Sequence, residues 1–463
     1  MKNRNRDLTK GPILKQLATL TIPMLFGMIG MVIFNLADTF FIGKLGVTEL
    51  AAISFTFPVI MFVNSLSQGI GIGTSSMVSR NIRIADRQTI KMMTGRTLLL
   101  GLLVVLVFVI AGLFTIRPLF SALGAKGEIL GFVEDYMKIW YIGVPFVVIP
   151  MIGNNIVRAT GDTFTPGMLM LTSAVINIIL DPLLIFGIGP FPAMGIKGAA
   201  LGTVIARSVG LVIILIILIK REKLLTVHLG KLKEIWATWK QVFYVAGPAS
   251  LALLITPVSI GFITRILAGF GKEAVAAFGV ASRVEMFALM VVVSLGTVMI
   301  IFIGQNMSKQ KFGRIFTAMK YGLVFSMVWG AMVFAVLLFF GKPISEVFTS
   351  DIKVSAIAAS YFLIVGSSYG FQGLVILSTA SFNGLNKPYP SAVFSLIRML
   401  VLYVPMAWIG SKYFGLNGVF WAGFIANIIA GVLSFGFLYR MICRLEGSCQ
   451  KPEGSSQKSV DKI

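Results

Sequence analysis

Apolar stretches bounded by clusters of charge, glycine and proline recur twelve times along the 463-residue chain. They occupy residues 17–42, 50–79, 97–116, 129–157, 166–187, 198–219, 241–268, 274–305, 317–340, 354–382, 389–411 and 416–439. About 20 mostly apolar residues cross the hydrocarbon core, so each stretch predicts one membrane-spanning helix. Those longer than about 25 residues predict tilt rather than an extra pass. Strands of a membrane barrel would be about 10 residues of alternating polarity, and the chain has no such alternation. Residues 1–16 are basic and run into the first stretch without a small-residue cleavage pattern, so 17–42 is expected to stay as the first helix.

The polar punctuation repeats. Displaced by 225 residues, the chain overlays itself without gaps across the first two helices of each half. Lys15-Gln16 falls on Lys240-Gln241, Pro23 on Pro248, Gly46 on Gly271, Gly71 on Gly296 and Asn81 on Asn306. Farther on, Gly161 and Pro182 meet Gly384 and Pro405 at a displacement of 223, and Gly198 meets Gly418 at 220. The expected fold is an all-α integral membrane protein of twelve transmembrane helices in two pseudo-symmetric six-helix lobes around a central cavity. Its parts are an N-terminal segment (1–16), a first lobe (17–219), a basic inter-lobe loop (220–240), a second lobe (241–440) and a tail (441–463). An even number of passes separates the copies, so they share one orientation, related by an axis along the membrane normal.

Composition excludes other classes. With 57% hydrophobic and 13% charged residues and a mean hydropathy of +0.90, the chain is neither a soluble domain nor a disordered one. The formal net charge of +22 becomes an orientation once the basic residues are sorted by side. Of the 40 Lys+Arg, 27 fall on the side of the N-terminus and 9 on the opposite side, with Lys138, Arg207, Arg283 and Arg398 inside spans. Both termini are therefore expected in the cytoplasm of a bacterial inner-membrane protein. Much of the charge is then a contact surface for anionic lipid headgroups. No basic stripe carries interleaved aromatics, so nucleic acid is not an expected partner. Cys443 and Cys449 allow no disulfide framework.

Ionisable residues inside spans are expensive and therefore informative. Asp38 sits in the first span and Asp181 in the fifth; the overlay puts Ile263 and Val404 at the equivalent positions of the second half. Asn177 likewise falls on Leu400. The duplicated fold does not need these polar groups, whereas a carboxylate in hydrocarbon must pair, bind a cation or take a proton. Pairing with an in-span arginine or a helix end is the competing reading for both acids. Asn177 and Asp181, four apart, share a helix face. With Asp38, and with Thr203 from the sixth span, they form an oxygen set that suits Na⁺ or a proton relay. Pro23, fifteen residues before Asp38, is a kink point at which the state of Asp38 is expected to change the bend of the first helix, although Pro248 shares the position without an acid. Tyr136, Asn154 and Asn155 in the fourth span are candidate cavity groups, with helix–helix hydrogen bonding the alternative. Glu285 and Arg283, two apart in the eighth span, are expected to form structural ion pairs with other helices, a substrate contact being the alternative, and Arg207 and Arg398 either neutralise acids or meet lipid. The 23 Met and 37 Phe include candidates for an adaptable cavity lining. The single His228 has no catalytic partners and there is no Walker A pattern, so neither an enzyme nor direct use of ATP is expected.

Residues 12–81, from Pro12-Ile13-Leu14-Lys15 through Pro23, Asp38-Thr39-Phe40-Phe41-Ile42-Gly43 and Leu45-Gly46 to Asn81, resemble the opening of multidrug and toxic compound extrusion (MATE) transporters. Arg158-Ala159-Thr160-Gly161-Asp162 with Pro166, Asn177, Asp181-Pro182 and Gly195-Ile196-Lys197-Gly198-Ala199-Ala200 continue the match, which covers about residues 10–440 and is most similar to the DinF-like branch. The resemblance implies alternating access and export of lipophilic, often cationic drug-like compounds in exchange for H⁺ or Na⁺, with no cofactor, by a monomer. It assigns the coupling site to Asp38, Asn177, Asp181 and Thr203, and lobe-lining positions to Tyr136 and Asn154. Spans 241–268 and 354–382 contain neither Asp nor Glu, which departs from the NorM-type branch and argues against a second cation site there. The alternatives are a lipid-linked precursor flippase of the same superfamily, which the scarcity of in-span arginine disfavours, and a passive channel or membrane-embedded enzyme, for which no filter motif or catalytic cluster is present.

Overall fold

The computed structural model describes residues 7–226, 228–349 and 351–447, and every regular element among them is helical. The first half forms α1 (Ile13–Gly43), α2 (Val47–Asn81), α3 (Arg87–Ala122), α4 (Gly127–Ala159), α5 (Phe164–Phe186) and α6 (Ile196–Ile216). The second half forms α7 (Leu232–Ala268), α8 (Lys272–Ser308), α9 (Phe312–Glu346), α10 (Ile352–Ile364), α11 (Tyr369–Gly384), α12 (Tyr389–Leu396) and α13 (Val404–Glu446). A 3₁₀ turn, Gly366–Ser368, joins α10 to α11 as one pass, and a π turn, Ile397–Tyr403, joins α12 to α13.

Among the described residues, eleven stretches are long and apolar enough to cross a membrane, but the last, Tyr389–Glu446, has 58 residues and contains two passes. Gly415 leaves the helix at φ 60°, ψ −145°, a conformation that favours glycine, and the chain folds back there. Gly418 then meets the backbone of Gly410, and Gly423 lies against the Tyr403 ring. Gly195, 220 residues earlier, precedes α6 with φ 55° and ψ −131°. The same glycine break therefore opens the sixth and the twelfth passes, and the sequence duplication is visible as a duplicated backbone.

Two apolar cores follow the two halves. One gathers mainly α2 to α6 around Met77, Met137, Ile152 and Ile156 and reaches Val242 and Ala246 of α7; the other gathers α7 to α13 around Ile263, Phe362 and Phe420. A third core crosses between halves: Leu8, Leu17 and Leu20 pack with Phe302, Ile315, Phe382 and Leu438. It lies on the side where the N-terminus sits, and polar bridges reinforce it. Leu8 N donates to Gln305 Oε1 (3.2 Å), and the Leu8 carbonyl accepts from Asn306 Nδ2 (3.1 Å) and Arg314 Nη2 (3.0 Å). Gln305 Nε2 donates to the Ala159 carbonyl (3.0 Å), and Ser76 Oγ to the Asn383 carbonyl (2.6 Å). The lobes are thus sealed together on that side.

The stretch 220–240, expected as a loop, is helical at both ends. A π turn, Ile217–Arg221, extends α6, and α7 already begins at Leu232. Glu234 in the first turn of α7 favours helix initiation and forms an ion pair with Arg96, while Trp239 Nε1 donates to the Arg96 carbonyl (2.8 Å). Charges at Lys231, Lys233, Glu234 and Lys240 break the apolar run there, although the first turns of α7 also carry Leu232, Ile235, Trp236 and Trp239. Likewise α13 continues to Glu446 and buries Cys443, whereas Cys449 lies outside the described residues.

Candidate ion-coupling site

The site is built where α1, α5 and α6 pack without bulky spacers. A Cβ on Gly27 would stand 2.8 Å from Gly167 Cα, and one on Gly30 would stand 2.9 Å from Leu171 Cδ1, so α1 and α5 touch nearly backbone to backbone. On α6, a Cβ at Gly202 would stand 2.7 Å from Asp181 Oδ1. These glycines let polar side chains of the three helices share one small space.

In that space Asn177 Nδ2 donates to Asp181 Oδ1 (2.8 Å) and approaches Thr203 Oγ1 (3.5 Å). Asn177 and Asp181 are fully buried, and Thr203 and Tyr136 nearly so. Asp38 and Asp181 are near enough to repel each other, and Tyr136 lies within electrostatic reach of both. Three oxygens, Asp38 Oδ1, Asn177 Oδ1 and Asp181 Oδ2, are buried without a hydrogen-bond partner. Among the described residues neither acid has a basic partner: the ion pairs of the first lobe all involve other carboxylates. The competing reading of two acids neutralised by arginine therefore has no contact behind it. A buried acceptor without a partner carries a desolvation cost, which one proton or one hard cation among these oxygens relieves.

The remaining candidates divide. Pro23 lies within an unbroken α1 where its carbonyl meets Gly167, at the α1–α5 crossing. The Asn154 Oδ1 is buried without a partner. Asn155 is not part of the cluster: its Nδ2 bonds the Met151 carbonyl (2.8 Å) and its side chain fills the space over Gly71 of α2.

The second lobe holds a polar network in place of the expected ion pairs. Glu285 on α8 accepts from Tyr361 Oη of α10 (2.6 Å) and Gln372 Nε2 of α11 (2.7 Å), and among the described residues no basic side chain forms an ion pair with it. Arg398 Nη1 donates to Asn427 Oδ1 (3.2 Å), and Asn427 Nδ2 donates to Ser368 Oγ (2.9 Å). The overlay carries a signal for it: Glu285 falls on Ile60 and Arg398 on Val175. What sequence could not give is the π turn at Ile397–Tyr403 and the 3₁₀ turn at Gly366–Ser368, which bring Arg398 and Ser368 to Asn427.

The chain matches the MatE family model twice, over residues 23–183 and 248–409. It is 37% identical over 443 residues to a protein of Shewanella oneidensis named FAD transporter, covering 96% of this chain and 98% of that one. It is 26% identical over 437 residues to the multidrug export protein MepA of Staphylococcus saprophyticus, covering 94% and 96%. The fold superposes on the Vibrio cholerae MATE transporter VcmN in its bent form with a TM-score of 0.88 at 32% identity, over 94% of this chain and 97% of that one. With a duplicated six-pass architecture, a buried acid cluster in one copy and a family match in each half, the chain belongs to the MATE family of transporters.

Proposed function

We propose that the protein is a secondary-active exporter that exchanges an organic compound for H⁺ or Na⁺ at Asp38 and Asp181. The carrying observation is the set of three buried, unpartnered oxygens of Asp38, Asn177 and Asp181. Two neighbouring carboxyls repel each other until one proton or cation arrives. For a cationic substrate, the compound and the coupling ion compete for that same charge, and this competition supplies the exchange. The seal on the N-terminal side supports a stage open to the opposite face, from which the ion enters. Closure of that face and opening at the sealed side complete the cycle. The distribution of 27 and 9 basic residues supports a cytoplasmic-membrane protein with both termini inside. One chain carries both lobes, so a monomer suffices.

Two substrate readings have support. Lipophilic, often cationic drugs are the reading favoured by similarity to MepA. A flavin dinucleotide is favoured by the higher identity to the Shewanella FAD transporter. Efflux from proteoliposomes under separately imposed sodium and pH gradients tests the proposal. One gradient is expected to drive efflux of ethidium or FAD, and Asp38→Asn is expected to reduce it to background. Unchanged efflux by that variant would overturn the coupling role.

A further inference from the structure

Arg207 on α6 is one turn from Thr203 on the same helix, in the middle of a span, and among the described residues no carboxylate pairs with it. Its guanidinium lies over the Phe34 ring, 5.0 Å from the centroid, and it lines a small cleft with Met31, Phe34, Met170 and Ala174. The positions are ordered. On α5, Met170, Ala174, Asn177 and Asp181 follow one helical stripe; on α1, Phe34 stands one turn before Asp38. The three helices that gather the acids therefore gather a cation and an aromatic ring one turn farther toward the sealed side. A second guanidinium stands close by: Arg158 places Nη2 3.4 Å from the Met170 sulfur, and its Nε is buried without a partner. The overlay puts Asn427 at the position equivalent to Arg207, so the duplicated fold does not need a cation there. A cation–π contact offsets only part of the cost of a guanidinium in a span.

We propose that the cleft between α1, α5 and α6 is an anion subsite, in which Arg207 beside the Phe34 ring takes the phosphate of an aromatic phosphate ester. A guanidinium fork matches phosphate oxygens in a bidentate manner and stacks on planar rings. Met31 and Met170, unbranched and flexible, allow the narrow cleft to widen around such a group. The inference rests on the flavin reading of the substrate and extends it to a residue. An anionic lipid headgroup offers the same phosphate chemistry and is separated by the test.

Binding of FAD, FMN and riboflavin to the full chain in zwitterionic nanodiscs is read by flavin fluorescence, without any gradient. The protein is expected to bind the two phosphorylated flavins at least tenfold more tightly than riboflavin. Arg207→Gln is expected to bring that ratio within twofold of unity, while Arg207→Lys keeps part of it. If Arg207→Gln does not fold, Phe34→Leu should lower the ratio at least threefold. Absence of flavin binding, equal affinity of the parent protein for phosphorylated and free flavin, or an unchanged ratio in the variants overturns the proposal. So does collapse of the ratio in nanodiscs containing anionic lipid, which would make the headgroup the occupant. Because no gradient is applied, failure here leaves ion coupling intact, and failed coupling leaves the affinity ratio standing.

Discussion

A methyl group on Gly202 would stand 2.7 Å from Asp181 Oδ1, so the absence of a side chain on α6 is what leaves the carboxyl its place. Gly202→Ala is expected to lower coupled efflux at least tenfold while costing at most about 3 kcal/mol of stability, the usual range for overpacking. Efflux and thermal unfolding measured together check this, and full efflux would show that the carboxyl has room to move. The acids make a different prediction for stability. Asp181→Val installs the residue found at the equivalent place in the second lobe, Val404. It removes a buried carboxyl with one unpartnered oxygen but also the acceptor of Asn177 Nδ2, which keeps only the approach to Thr203 (3.5 Å), so unfolding is expected within a few degrees of the parent while gradient-driven efflux disappears. A fall of many degrees would instead assign Asp181 to the scaffold.

At the scale of elements, the N-terminal residues act as a strap across α8 and α9. Gln305 is its centre, since it touches Leu8 N, the Ala159 carbonyl and Arg83 Nε (3.3 Å) at once. Gln305→Ala is expected to speed trypsin cleavage at Lys10 and Lys15 in inside-out vesicles severalfold; an unchanged rate would mean that the apolar contacts of Leu8 hold the strap alone. Acidification should not release it. Partial burial pushes the Asp7 carboxyl up, but Thr9 N (3.0 Å), Thr9 Oγ1 (2.7 Å) and the charge of Arg83 hold it below the usual carboxylate range. A lowered group contributes its stabilisation above its unfolded value and loses it only as pH falls through the folded one, so cleavage at pH 5.5 should match that at pH 7 after correction for trypsin activity. None of the strap was legible in the sequence, because its bonds join residues up to 306 positions apart and run largely through backbone atoms. The passes were legible, since lipid demands long apolar runs. Their charged extensions, such as the start of α7, were not, since Lys233, Glu234 and Lys240 interrupt the apolar run there. Asp38 and Asp181 stood out by subtraction of the two halves. The sequence left Asn155 between cavity and packing, because its direction depends on the close α2–α4 approach at Gly71.

For the whole molecule, the charge asymmetry predicts a labelling pattern. Single cysteines at Lys233 and Lys309 are expected to react with an impermeant thiol reagent only from the cytoplasm, and cysteines at Gly189 and Lys412 only from outside, in a chain whose native cysteines are replaced; reversed accessibility would invert the orientation. The two halves resemble each other in backbone, down to the breaks at Gly195 and Gly415, yet they are not interchangeable units. Leu8, Leu17 and Leu20 belong to a core whose other members reach as far as Ile442. That arrangement is also a statement about time. A ribosome completes all six helices of the first half before Phe302 exists, and Leu438 follows much later, so the first helix waits through most of synthesis with its inner end unseated. Only a chain that has been made almost to its end can shut this side, and an unfinished transporter therefore has no sealed state from which to begin a cycle.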